Sequence, residues 1–154
     1  MQLSKNFSLT ELYKSTTAIR NNINNEPTSD IIANLELLCV NVLQPIRDFF
    51  KYPVKINSGY RCVKLNQLVG GKPNSEHSLG MAADIEINGV SNYDLALYIK
   101  DNLQYTQLIL EFYTMGDPNS GWVHVSYNVN DLKKENYTAV NSSGKVYYLR
   151  GLNP

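Results

Sequence analysis

Apolar residues between positions 31 and 49 recur at three- and four-residue steps: Ile31, Leu35, Leu38, Val42, Ile46 and Phe49. That spacing lays one apolar stripe along a helix and predicts a helix starting around Thr28 to Asp30 that packs on a core. Pro45 lies inside it. Proline lacks an N–H and crowds the carbonyl four residues back, so the helix is expected to kink or divide there. Ser8-Leu-Thr-Glu11 has capping-box spacing and predicts an earlier helix start. A third helix is expected from near Ser91, turning Leu95, Tyr98 and Ile99 inward.

Other segments repeat every second residue. Met81 to Ile87 and Trp122 to Tyr127 alternate as short strands. Asp84 and Glu86 then share one face against Ala83, Ile85 and Ile87, and Trp122, His124 and Ser126 oppose Val123, Val125 and Tyr127. Val54 to Asn57 and Leu108 to Phe112 read as further strands. Tyr137 to Val140 and Lys145 to Leu149 read as the arms of a hairpin around Asn141-Ser-Ser-Gly144. The expected architecture is α+β, with a small antiparallel sheet and helices packed mainly on one side.

The chain has 154 residues, of which 43% are hydrophobic, enough for one domain over 1–154 with a real core. Its 14 basic and 14 acidic residues balance, so no overall field favours nucleic acid or an anionic membrane. Separately, a monomer is expected. No apolar run reaches the length of a membrane span, and the first residues lack the basic, apolar and small-residue order of an export signal. Cys39 and Cys62 do not have zinc-pair spacing; buried free thiols are the ordinary reading, and a disulfide between them stays open.

Only two histidines occur, His77 and His124, each beside residues suited to a metal. Neutral imidazoles plus one carboxylate are the usual protein ligands of catalytic zinc, whose fourth position stays open for water. His77, Asp84 and His124 supply that set, one ligand from the polar face of each strand and His77 from a loop that Gly80 folds back towards Asp84. The competing reading of each histidine is a hydrogen-bonded surface or core side chain.

The ordered motifs Ser58-Gly-Tyr-Arg61, Leu65-Asn66, Val69-Gly-Gly71, Ser75-x-His77-x-x-Gly80-x-Ala-Ala-Asp84 and Trp122-Val-His124-Val-Ser126 resemble the M15 zinc peptidases, as does Asn6-Phe-Ser-Leu-Thr-Glu-Leu12 with Ala18 to Arg20. The likeness is to the short bacterial and phage branch related to D-Ala-D-Ala carboxypeptidases and runs from about Asn6 to Tyr127. It implies a hedgehog/DD-peptidase-like cleft in which zinc on His77, Asp84 and His124 activates water against a peptide carbonyl. It also implies that Arg61 steadies the oxyanion or grips a substrate carboxylate, with Ser75, Tyr60 and Trp122 on the substrate side. A plain surface arginine, and turn chemistry for Ser75, are the alternatives.

The general base departs from the better-known pattern. Many relatives carry an acid three positions before the last histidine, where this chain has Gly121. Glu111 is the first choice, because Gln107-Leu-Ile-Leu-Glu111 resembles the strand that precedes that histidine in the short branch. Asp117, in the turn-like Gly116-Asp-Pro-Asn, ranks second and Glu86 third.

The resemblance implies hydrolysis of peptidoglycan stem peptides or cross-links, by carboxypeptidase or endopeptidase action, with the bond left open. Without an export signal, such an enzyme would be made in the cytoplasm and reach the wall after lysis or as part of a phage particle. Two rivals stand beside it: a non-catalytic zinc module for wall binding or particle assembly, and a metal-dependent hydrolase of another amide or ester. Residues 128–154, beyond the resemblance, are expected to complete the sheet, wall the cleft or bind the polymer through tyrosines such as Tyr147 and Tyr148.

Overall fold

A computed structural model describes residues 1–154. A two-stranded ribbon opens it, β1 (Gln2–Ser4) with β2 (Phe7–Ser8), followed by α1 (Leu9–Tyr13) and α2 (Thr16–Arg20). Ser8 and Glu11 close the expected capping box: Ser8 Oγ accepts from the Glu11 N–H, and the Ser8 N–H donates to the Glu11 carboxylate at 2.9 Å. The long helix is divided as Pro45 requires. α3 (Ser29–Leu38) passes into a π-helical stretch over Cys39–Leu43 and resumes as α4 (Gln44–Phe50). Widening the turn, with the Gln44 N–H donating to the Cys39 carbonyl, accommodates the proline ring without ending the helix.

After the helix come β3 (Lys55–Ser58), α5 (Val63–Leu68), β4 (Ala82–Glu86), α6 (Asn92–Asn102), β5 (Gln107–Glu111), β6 (Trp122–Ser126), β7 (Glu135–Ser142) and β8 (Lys145–Arg150). The strands β3 to β8 form one sheet in the order β3-β4-β6-β5-β7-β8. All its neighbours are antiparallel except β5 and β7, which run parallel. The fold is α+β as expected; the parallel pair arises because the chain between β6 and β7 carries the hairpin past β5 to its far side. Ser143 and Gly144, both at positive φ, make the two-residue turn of that hairpin.

Helices cover one face. Ala83, Ile85, Val123, Val125, Leu108 and Leu110 are buried there against Leu35, Leu38, Val42, Ile46, Leu95 and Ile99 in one cluster of 23 residues. α6 starts at its Ser91 cap and faces β5 and β6. Phe49, read from the sequence as part of the inward stripe, is instead 59% exposed. It sits near the end of α4 and stacks on Tyr98 with ring centroids 4.2 Å apart, so the apolar stripe leaves the core one turn early. Cys39 and Cys62 are free thiols, Cys39 fully buried with its pKa pushed up to about 12, first by burial and then by Glu11 and Glu36.

Ile85 lies on the covered face next to Asp84 and is fully buried. Truncating it to alanine removes transfer energy and leaves a cavity, so Ile85→Ala should lower unfolding free energy by about 2–5 kcal/mol in urea denaturation.

Candidate active site

The uncovered face of the sheet forms the floor of a cleft. Residues opposed across a ladder project to the same side. Asp84 on β4 opposes His124 on β6, His124 opposes Ile109 on β5, and Ile109 opposes Tyr137 on β7. One row further along, Trp122 opposes Glu111, Glu111 opposes Ala139, and Ala139 opposes Tyr148 on β8. The alternation that buries Val123, Val125, Leu108 and Leu110 therefore sends His124 and Glu111 into the cleft.

His77 reaches the same place from a short 3₁₀ turn, Glu76–Leu79. Ser75 Oγ accepts the His77 backbone N–H at 3.2 Å, and Gly80, at φ +71°, ends the turn and sends the chain into β4. The loop before α5 braces it: the His77 carbonyl accepts from the Arg61 N–H at 3.2 Å, and His77 Nδ1 donates to the Gly59 carbonyl at 2.7 Å. At Gly59 a Cβ would collide with the Leu12 carbonyl, so only glycine lets this loop lie against α1.

With its Nδ1–H committed to the Gly59 carbonyl, His77 turns Nε2 towards Asp84 Oδ1, 3.4 Å away. His124 Nδ1 approaches the same oxygen at 3.1 Å. A lone pair facing a carboxylate needs a cation or a proton between them. The three ligand atoms lie within 4.8 Å of one another. A tetrahedral site with bonds near 2.0–2.1 Å has ligand-to-ligand edges of about 3.3 Å, so this donor set fits a small divalent metal. Burial opposes ionisation of Asp84, but hydrogen bonds and charge from His124 and His77 outweigh it and hold the carboxyl well below the usual range. Burial also works against a charged His124, and Asp84, Glu111 and Glu76 overcome it to raise its pKa.

Glu111 is the acid that borders this set. Burial raises its pKa above the ordinary value of 4.5, with Asp84 adding to the shift while His124, Trp122 and Lys72 oppose it. The buried Trp122 Nε1–H lies near that carboxyl without completing a hydrogen bond and favours its ionised form. Gly121 sits at φ +65°, and a Cβ there would strike the Glu111 carbonyl. The position that carries an acid in many relatives is thus sterically closed in this chain, while Glu111 brings a carboxylate to the cleft from the neighbouring strand. Phe112, directly after Glu111, adopts φ +56°, a strained conformation for a bulky residue at the edge of the site.

Arg61 lines the cleft with its guanidinium tethered on one side only: Nε donates to Asn66 Oδ1 at 3.1 Å and Nη1 to Ser58 Oγ at 2.9 Å. Burial lowers its pKa while Asp84 and Glu111 favour its charge, and it stays a cation. Ser75 and Trp122 also line the cleft, whereas Tyr60 lies in an adjoining groove of ≈ 610 Å³ that contains no metal-ligating set. Asp117 is a turn residue whose Oδ1 accepts from the Asn119 N–H, and Glu86 accepts from Asn57 at 2.7 Å; neither borders the cleft.

The cleft measures ≈ 820 Å³ and includes Tyr148, named from the sequence as a polymer-binding candidate, together with Lys72, Gln107, Ile109 and Tyr137, which were not singled out for it. Ile109 and Gln107 were within reach, being period-two partners of Glu111. Tyr137 enters only through the parallel β5–β7 pairing, which no local pattern announces. Asn66, 4% exposed, orients Arg61 and also donates to the Lys72 carbonyl at 2.9 Å.

Two outcomes follow for variants. Gly121→Asp, which restores the acid of the commoner pattern, should destabilise the protein by on the order of 1–3 kcal/mol in urea denaturation, through its positive φ and the clash with Glu111. In the metal-free protein a raised folded-state pKa at Glu111 contributes stability below the unfolded pKa that is lost as pH rises through the folded value. Glu111→Gln should accordingly raise the Tm of metal-free protein at pH 7 and leave it little changed near pH 4, by calorimetry.

No helix is long and apolar enough to cross a membrane. No curated protein matches the chain. A family model described as Peptidase M15 matches residues 5–126, from the turn between β1 and β2 to the end of β6 and across all three candidate ligands, Arg61 and Glu111. With that span and the His-Asp-His site together, the chain belongs to the M15 peptidase family.

Proposed function

We propose that the protein is a zinc metallopeptidase that hydrolyses peptide bonds of peptidoglycan stem peptides or cross-links. The observation that carries this reading is the convergence of His77, Asp84 and His124, all ligand atoms within 4.8 Å, beside Glu111 in an open cleft. Zinc bound there would supply Lewis-acid polarisation and a water acidic enough to ionise near neutral pH.

The residues then divide the remaining work. His77, fixed in one tautomer by Gly59, and His124, held by Asp84, present nitrogens without reorganisation. Glu111 accepts the proton of the attacking water and returns it to the leaving amine. Its raised pKa suits both halves of that exchange. Arg61, whose Nη2 bonds nothing within the chain, offers a donor to a substrate carbonyl or carboxylate. The absence of an acid before His124, which favoured a non-catalytic module, loses its weight because Glu111 borders the site from the adjacent strand. In this reading the protein acts on the wall after lysis or from a phage particle, as a monomer.

Purified peptidoglycan incubated with zinc-loaded protein and analysed by mass spectrometry should yield new stem-peptide fragments, absent with His77→Ala. Glu111→Gln should keep its zinc and lose on the order of 10²–10⁴-fold in kcat. Since Glu111 must be ionised to act, kcat/KM should fall as pH drops through its raised pKa, and the glutamine variant should lack that acid limb. Full zinc occupancy with no fragments from any peptidoglycan would overturn the peptidase reading.

A further inference from the structure

Beyond the ligands, the cleft floor continues across two more strands. From His124 the row passes Ile109 to Tyr137, and from Trp122 the parallel row passes Glu111 and Ala139 to Tyr148. β7 and β8 lie outside the family match, which ends at residue 126, so this half of the floor is particular to the C-terminal hairpin. Strands sit about 4.8 Å apart, which places Tyr137 roughly 10 Å and Tyr148, one strand further out, roughly 14 Å from the β6 row, or about three to four residues of extended peptide.

The charge changes sign along that path. Asp84, Glu111 and Glu76 crowd the metal end. At the far end Lys72 sits over the Tyr148 ring, 4.5 Å from its centroid, bridging the loop after α5 to the hairpin. Arg150 follows, opposing Tyr137 on β8. Neither Lys72 nor Arg150 forms an ion pair within the chain. Asn66 holds the Lys72 backbone in place, and Tyr148 restrains its side chain, so the ammonium is partly ordered before any ligand arrives.

We infer that the hairpin forms a substrate subsite in which Lys72 and Tyr148 receive a carboxylate on the substrate, about three to four residues' length from the bond held at the metal. The inference rests on the peptidase reading and deepens it, since a stem peptide carries a free α-carboxylate on its D-glutamate at such a distance from its D-alanine end. Tyr148 and Tyr137 add flat apolar surface against the intervening backbone. Tyr147 lies on the opposite face of β8, opposing Val140, and takes no part.

The test is calorimetric titration of metal-free protein with acetyl-L-Ala-γ-D-Glu-L-Lys-D-Ala-D-Ala and with the same peptide amidated at the D-Glu α-carboxylate. Both keep the terminal carboxylate, so only one charge differs. The free acid should bind about fivefold tighter, as befits a half-exposed ion pair. Lys72→Ala and Tyr148→Ala should each abolish the difference, while Tyr147→Ala keeps it. Equal affinities in the wild type, no binding of either peptide, or a preference that survives both variants would overturn the subsite. If the preference holds but zinc-loaded protein cleaves neither peptide, the subsite stands and the peptidase reading falls; cleavage with equal affinities means the reverse.

Discussion

The carboxylate of Asp84 holds two imidazoles to one oxygen, and much of the molecule is arranged to keep it charged. Burial alone would neutralise it; His77 and His124 prevent that. The arrangement makes demands at a distance. β4 must lie beside β6 in one register, the turn after Ser75 must fold back, and the Gly59 carbonyl must meet His77 Nδ1, which in turn requires a glycine against Leu12. A charge so placed is unfavourable unless its partners are fixed, and fixed partners with lone pairs aimed inward are what a metal requires.

The same sheet separates stability from chemistry. One side of each central strand is apolar and sealed by α3, α4 and α6, while the other is left to polar side chains, so the site sits on the most rigid element available. Strain gathers at the margin, in Phe112 beside Glu111. Glu111 is itself a local compromise, since burial and Asp84 disfavour its charged form while His124, Trp122 and Lys72 favour it.

Much of this was legible in the sequence because it follows from short periods. The alternation in β4 and β6 identified Asp84 and His124 as cleft residues, and Pro45 foretold the divided helix. What escaped depends on contacts distant in sequence. Tyr137 joins the cleft through a parallel pairing set by the path of the chain from Ser126 to Glu135, and Phe49 leaves the core because α4 ends where it does. Gly121 was visible as a departure, but its reason, a backbone packed against Glu111, is a matter of three-dimensional proximity. Tyr60 carries a family motif yet faces the neighbouring groove.

X-ray absorption at the zinc edge on the zinc-loaded protein bears most directly on the central claim. The account predicts one zinc per chain with two imidazole nitrogens and light oxygen donors near 2.0–2.1 Å, losing one imidazole in His77→Ala. Sulfur scattering from Cys39 or Cys62, or a zinc shell unchanged by loss of His77, would contradict it.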